Sequence, residues 1–193
     1  MFMIQNKGLT IGIVGGVVAA IVVIALFATG VVKLPGRFSI ENLEGERTSQ
    51  GLVAVPGTSA ITEEGEVLAP SGAAAQNNSI PGAPDAPQQS DPVALEALPE
   101  QSVKISVSSA GFAPSSFTVK AGAPITLAVT SVDSQTHVFL FDAADLSAVA
   151  IGVGPQETRA LSFKAPSAKG EYTFHCDVPG HAARGEVGTM IVE

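Results

Sequence analysis

An uncharged apolar segment near the amino terminus restricts the possible structures of this chain more than any other feature. It runs from Leu9 to Val32 and reads LTIGIVGGVVAAIVVIALFATGVV. A helix of this length spans ~36 Å at ~1.5 Å per residue, which exceeds the ~30 Å hydrocarbon core of a bilayer. A cleaved signal peptide has a shorter apolar region and a small-x-small cleavage site, and this segment has neither. We therefore predict an uncleaved transmembrane helix over 9–32, preceded by a short tail over 1–8.

The residues around and within this segment leave its orientation and its association with other helices open. Lys7 precedes the segment, whereas Lys33 and Arg37 follow it. The positive charges therefore mildly oppose an orientation with the rest of the chain outside the cytoplasm. Gly12 and Gly16 form a GxxxG step that can seat a second helix, although glycine is common in membrane helices that do not dimerise.

Net charge divides the chain into three parts that have different properties. The formal net charge of −8 is distributed as +3 over 1–37, −9 over 38–100 and −2 over 101–193. No part of the chain concentrates Lys and Arg enough to neutralise a series of phosphates. The composition thus excludes a basic nucleic-acid-binding surface.

Residues 33–100 have the composition of a tether. They are rich in Pro, Ala and Gly, and they carry glutamates in clusters. No helical or alternating apolar period persists between the prolines, and few side chains are large enough to offset the entropy of ordering. Like charges and prolines also extend a chain. We predict an acidic, largely disordered linker over 33–100 that holds a distal domain away from the bilayer.

Apolar and polar residues alternate over short stretches in the last part of the chain, 101–193, and Gly and Pro separate these stretches. Such a pattern is typical of antiparallel β-strands at roughly ten-residue spacing, and predicts an all-β sandwich of seven to eight strands. The segment 142–154 is the exception, and we expect a loop with one helical turn there. The apolar residues that share one parity are Val103, Ile105 and Val107; Phe117 and Val119; Ile125, Leu127 and Val129; and Leu161 and Phe163.

The carboxy-terminal hairpin contains the only cysteine of the chain. A single cysteine excludes an intramolecular disulfide and a Cys-rich zinc module. Strand alternation turns Cys176 inward and turns His175 to the opposite, exposed face. A tight turn over 177–180 then presents His181, and His137 opens an earlier strand, HVFLF. If that strand lies beside the hairpin, one thiolate and two imidazoles converge, which is the ligand set of mononuclear copper electron-transfer sites.

Over essentially all of 101–193 the sequence resembles the cupredoxins, the blue-copper proteins. The matching residues are His137 and the loop Cys176-Asp-Val-Pro-Gly-His181, with YxF before the cysteine and a Gly-Thr strand after the loop. The PGHAAxG stretch is most similar to the rusticyanin and sulfocyanin branch, and the four-residue gap is also similar to that of azurin. The resemblance implies a Greek-key β-sandwich and one copper ion bound by His137, Cys176 and His181.

The sequence departs from the family pattern at the axial ligand. Family members carry a methionine five residues after the second histidine, and this chain has Glu186 there. Glu186 is either an axial oxygen donor or a surface carboxylate that leaves a three-coordinate site. Met190 is the nearest methionine, but relatives hold an ordinary core residue at its position in the closing strand. A bound carboxylate favours Cu(II), so we expect a potential lower by roughly 80–170 mV, a colour shifted toward green or red, and a weaker preference for copper(I) over other metals.

The resemblance implies a membrane-anchored one-electron carrier rather than an enzyme. Its expected partners are redox proteins such as a cytochrome or a terminal oxidase, which would dock at an exposed edge of His181 beside Ala182 and Ala183. A copper–thiolate carrier is expected on the extracytoplasmic side of the cell membrane, where reduced thiols do not compete for the metal. The alternatives are a copper-binding or copper-delivery protein and a small redox enzyme with a red copper site. A dinuclear copper site is excluded, because it needs a second cysteine four residues from the first.

Overall fold

A computed structural model describes residues 55–193 of the chain. The predicted tail over 1–8, the predicted transmembrane helix over 9–32 and the first part of the predicted linker, 33–54, lie outside the described residues. Within 55–193, no helix has both the length and the apolar character needed to cross a membrane.

Nine of the eleven strands in the described range form a sandwich of two sheets. One sheet has the strand order β5-β11-β10-β7-β8, and the other has the order β4-β3-β6-β9. The remaining strands, β1 and β2, pair only with each other. The strands are β1 (Ala60–Ile61), β2 (Val67–Leu68), β3 (Val103–Ser108), β4 (Gly111–Ala113), β5 (Ser116–Val119), β6 (Pro124–Ser131), β7 (His137–Phe141), β8 (Ala150–Val153), β9 (Thr158–Lys164), β10 (Gly170–Cys176) and β11 (Val187–Val192).

The predicted all-β sandwich is confirmed, but the predicted number of seven to eight strands is too low. The short strand β4 lies between the predicted alternating stretches, and β8 lies inside the expected loop 142–154. That segment also holds the predicted helical turn, which is a 3-10 turn at Ala144–Leu146. Both strands were missed because three or four residues are too few to show an alternating pattern.

The inner faces of the two sheets carry the side chains that the alternation selected. On β6, Ile125, Leu127 and Val129 point into the core and are buried. The opposite face of β6 is covered as well, because Ala128 packs with Val55 and Leu98 in a second buried cluster. A central strand with both faces covered explains why most of β6 is buried.

The prediction of a disordered linker is wrong for the described part of its range, residues 55–100. The amide of Ser90 donates a hydrogen bond to Ala160 (2.7 Å) and that of Val93 to Thr158 (2.9 Å), so this segment pairs with the outer edge of β9. Small and proline-flanked residues allow the backbone to lie close to the sheet, and Leu98 packs in the second buried cluster. Order here comes from edge pairing and small-residue contacts, neither of which produces an apolar period.

The five-stranded sheet places the three predicted metal-binding elements side by side. Strand β10 pairs with β11 on one side and with β7 on the other, and Cys176 lies opposite Phe139. Below this end of the sheet, the ring of Phe174 packs against Phe139 with centroids 4.7 Å apart and against Phe112 with centroids 5.1 Å apart. The predicted neighbourhood of His137 and the carboxy-terminal hairpin is therefore confirmed, and it rests on a rigid aromatic core.

Candidate metal centre

A single loop between β10 and β11 carries three of the four candidate ligands. Cys176 is the last residue of β10, and Glu186 immediately precedes β11. The amide of Cys176 donates a hydrogen bond to the carbonyl of Glu186 at 2.9 Å, which closes the loop at its base. His181 lies halfway along and starts a 3-10 turn at Ala182–Arg184. The hydrogen bonds of the loop thus fix the backbone positions of Cys176, His181 and Glu186.

Two glycines allow the loop to turn back on itself. Gly180 and Gly185 have φ angles of +83° and +104°, which side chains with a Cβ rarely adopt. The amide of Gly185 donates to the carbonyl of Ala182 at 3.0 Å and ends the 3-10 turn. Glu186 can therefore follow directly and re-enter the sheet beside Cys176.

The fourth candidate ligand, His137, reaches the loop from the neighbouring strand. It is the first residue of β7, and the backbone of the next residue hydrogen-bonds to Cys176 and Asp177 at the start of the loop. The amide of Val138 donates to Cys176 Sγ at 3.4 Å, and its carbonyl accepts a hydrogen bond from the amide of Asp177 at 2.9 Å. These two contacts hold the first residue of β7 beside the last residue of β10.

The four side chains converge in one buried cluster. Cys176 Sγ lies 3.8 Å from His137 Nδ1 and 3.5 Å from His181 Nδ1. Glu186 Oε2 lies 2.8 Å from His137 Nδ1 and 2.9 Å from His181 Nδ1. One ligand atom from each residue lies within 4.8 Å of all the others. The residues selected from the sequence are thus brought together, and both imidazoles present the same nitrogen to the sulfur and the carboxylate.

Comparison with known protein families identifies the domain that contains this cluster. The sequence model of the cupredoxin-like domain matches residues 86–192, which is more than half of the chain. The chain belongs to the cupredoxin-like domain family. No sequence among the curated proteins matches this cupredoxin significantly.

Several solved structures are similar to the chain over about half of its length. Dithionite-reduced auracyanin from Roseiflexus castenholzii is 25% identical, with a TM-score of 0.42 over 49% of this chain and 98% of that one. Auracyanin A, a "blue" copper protein from Chloroflexus aurantiacus, is 25% identical, with a TM-score of 0.39 over 48% and 98% of the two chains. Amicyanin from Paracoccus versutus is 20% identical, with a TM-score of 0.39 over 53% and 92%. The similarity to the rusticyanin and sulfocyanin branch stays a prediction.

The separations between the donors of this cupredoxin fit a small metal ion. An ion at ~2.0 Å from an imidazole nitrogen and ~2.3 Å from a thiolate, with a bond angle near ~120°, separates nitrogen and sulfur by ~3.7 Å. The two observed separations of Sγ from Nδ1 are 3.8 and 3.5 Å. One soft sulfur with two imidazoles is the donor set that suits copper. The donor types and their separations therefore fit copper.

Glu186 lies inside the cluster rather than at the surface. Its side chain is 0% exposed, so it is not a surface carboxylate. Met190 is also buried, but it lies in β11 opposite Tyr172, four residues along the strand from the level of Cys176, and it packs in the main core. At ~3.3 Å per strand residue, four residues correspond to ~13 Å. Glu186, rather than Met190, belongs to the donor cluster.

Burial and hydrogen bonding act in opposite directions on the carboxyl of Glu186. Burial raises its pKa, but hydrogen bonds from Arg184, His137, Cys176 and His181 outweigh burial and hold the pKa below its usual value. At Cys176, burial raises the pKa of the thiol, and the nearby Glu186 raises it further, against the opposing effect of the amides of Val138 and Val178. Burial and the neighbouring carboxylate thus favour the neutral thiol at Cys176, whereas the hydrogen bonds favour the ionised form of Glu186.

Sequence analysis missed the residue that orients His137. Asp133 Oδ1 lies 3.1 Å from His137 Nε2, on the side of the ring opposite the donor cluster. The amides of Gln135 and Ser109 also bind this carboxylate. The Gln135 amide is the main cause that lowers the pKa of Asp133 to about 2, against burial, with smaller contributions from His137 and Ser109. An acidic residue four positions before a candidate ligand histidine was the available sequence signal.

The remaining sequence predictions concern the surface near the cluster. His175 points away from Cys176 as predicted, but it is half-buried rather than exposed, and its Nδ1 lies 2.6 Å from Asp142 Oδ1. His181 was expected to present an exposed edge, but the residue is buried and only 8% exposed. Ala183 is exposed and Ala182 is partly exposed beside it.

Proposed function

We propose that this cupredoxin carries single electrons, with one copper ion held by His137, Cys176 and His181 and with Glu186 as the fourth donor. The observation that carries the proposal is the buried convergence of one sulfur, two imidazole nitrogens and one carboxylate oxygen. Copper bound by a thiolate and two imidazoles exchanges one electron between Cu(II) and Cu(I).

The side chains around the cluster keep the donors in place when the charge at the site changes. His137 is held at Nε2 by Asp133, which leaves Nδ1 to face the donor cluster. Cys176 is fixed by the amide of Val138 and by the closing hydrogen bond of its loop. Because the sheet and the loop hold these donors already, little rearrangement is needed between two oxidation states. That property favours rapid and reversible electron exchange.

The proposal is tested by a redox cycle on the full chain in detergent micelles. After loading with Cu²⁺, ascorbate and then ferricyanide should remove and restore the visible absorption over repeated cycles, without loss of metal on a desalting column. Loss of copper at each reduction would contradict electron transport and support the copper-delivery alternative. Consumption of a substrate by the copper-loaded protein, without an external electron acceptor, would support the red-copper enzyme alternative.

We also propose that the apolar segment 9–32 anchors the chain in the cell membrane as a single span, with the copper domain on the extracytoplasmic side. The segment is long enough to cross a bilayer, and copper with a thiolate is best protected from competing thiols outside the cytoplasm. An anchored carrier would exchange electrons with membrane or soluble redox proteins, such as a cytochrome or a terminal oxidase. Protease added to intact cells should cleave the copper domain from the membrane fraction, and complete protection until lysis would contradict this orientation.

A further inference from the structure

The carboxylate of Glu186 connects the interior of the site to a surface arginine. Its Oε2 atom lies 2.8 and 2.9 Å from the two imidazole nitrogens, whereas Oε1 accepts a hydrogen bond from Arg184 Nη2 at 2.7 Å. Glu186 is fully buried, and the side chain of Arg184 is 42% exposed. The two oxygens of one carboxylate thus face opposite sides, one toward the donors and one toward a cation at the surface.

Arg184 is itself held by the loop that leads into β7. Its Nη2 atom lies 3.2 Å from Gln135 Oε1. The amide of Gln135 in turn donates to Asp133, the residue that orients His137. One nitrogen of the guanidinium, Nη2, therefore bridges Glu186 and the loop that supports a candidate ligand. Two hydrogen bonds at this nitrogen hold the charge near the carboxylate.

We propose that Arg184 is a positioning residue that draws negative charge of Glu186 toward Oε1 and away from the metal. This inference rests on the proposed function, because it concerns the same copper site. A guanidinium keeps its proton at every relevant pH, so its effect is permanent. Without it, the full carboxylate charge faces the donors, and the more positive oxidation state, Cu(II), is bound more tightly.

The first test replaces Arg184 in the full chain and measures the affinities for Cu²⁺ and Cu⁺ and the reduction potential. In Arg184→Gln, the ratio of Cu²⁺ affinity to Cu⁺ affinity should rise about tenfold, which corresponds to a potential lower by ~59 mV. Arg184→Lys keeps the positive charge and should change the ratio by less than threefold. The matched control is Arg159→Gln, since Arg159 is a partly exposed arginine that pairs with Glu157 instead, and its ratio should stay unchanged. An unchanged or lower ratio in Arg184→Gln would overturn the inference.

The second test asks whether Arg184 acts through the carboxylate. The Arg184→Gln substitution is repeated in a chain that already carries Glu186→Gln, where no carboxylate charge remains to be divided. The tenfold effect should then fall below threefold. An undiminished effect would show that the guanidinium acts directly through space, and it would overturn the positioning role.

A third measurement needs no metal and separates a failure of folding from a failure of the inference. In the metal-free protein, Arg184→Gln and Glu186→Gln should shift the urea midpoint by less together than the sum of their separate shifts, because they share one interaction. Additive shifts would overturn the link between the two residues. If the parent protein binds Cu²⁺ without a thiolate band, both the proposed function and the inference fail. If the parent shows the band but the Arg184 variants have the same affinity ratio and potential as the parent, the inference alone fails.

Discussion

The amide of Cys176 donates a hydrogen bond to the carbonyl oxygen of Glu186 at 2.9 Å, so the first and last residues of the loop are paired across its base. This contact places a thiol donor and a carboxylate donor side by side independently of their side-chain conformations. A methionine at position 186 would start from the same backbone position. The proposed fourth donor therefore depends only on which side chain residue 186 carries, on an unchanged backbone frame.

Replacing Glu186 by Met should raise the reduction potential of the copper-loaded protein. A neutral thioether removes a negative charge that favours Cu(II), and a loss of ~2–4 kcal/mol of that preference corresponds to roughly 80–170 mV. Protein-film voltammetry measures the shift. Glu186→Gln is the matched control, because it keeps the size and removes the charge, and it should raise the potential in the same direction. Equal potentials in all three proteins would show that the carboxylate does not act on the metal.

Replacing Asp133 by Asn should weaken copper binding without removing any donor. Asp133 Oδ1 lies 3.1 Å from His137 Nε2 and fixes the orientation of that ring. Residues that orient a ligand histidine typically contribute about 10–100-fold to metal affinity. Competition with a chelator measures the affinity, and Asp145→Asn, at an exposed residue of the 3-10 turn Ala144–Leu146, provides the control. An affinity equal to that of the parent would remove Asp133 from the account of the site.

Replacing Leu98 by Ala tests whether residues 55–100 belong to the folded domain. Leu98 is 6% exposed and packs with Val55 and Ala128 behind the four-stranded sheet. Loss of a buried leucine typically costs about 2–5 kcal/mol of unfolding free energy. Ile80, which is 76% exposed in the same segment, is the control, and Ile80→Ala should change the stability by less than ~0.5 kcal/mol. Similar urea midpoints for the two variants would mean that the segment does not pack on the sandwich.

Replacing Gly188 by Ala should destabilise the sheet next to the site. A Cβ at this position would overlap the ring of Phe174 and lie 2.5 Å from the carbonyl oxygen of Ser115. Overpacking of this kind costs about 3 kcal/mol, because neither the buried ring nor the backbone can move freely. In the control Gly152→Ala, the added Cβ has no atom within 4 Å, so the unfolding free energy should stay within ~0.5 kcal/mol of the parent. Equal stability of the two variants would contradict the close approach at Gly188.

The sequence was sufficient to predict the strands that show an alternating apolar pattern and the candidate ligands that belong to a motif. Alternation gave the inward face of β10 and therefore the direction of Cys176, and the position of His137 at the start of a strand was also predictable. Residues 55–100 could not be predicted, because Ser90 and Val93 pair through their backbones and leave no pattern in their side chains. The charged surroundings of the cluster, Asp133 and Arg184, were missed for a related reason. They reach the ligands from a loop and from a 3-10 turn, where spacing along the chain does not determine contact.

The central claim, that Cys176 is a copper ligand in a cupredoxin site, is tested most directly by visible and electron paramagnetic resonance spectra of the full chain with one equivalent of Cu²⁺. The account predicts an intense thiolate-to-copper absorption band in the unchanged protein and its complete loss in Cys176→Ser, which removes the soft sulfur donor and keeps a similar size. Absence of the band in the unchanged protein, or its persistence in Cys176→Ser, would contradict the account.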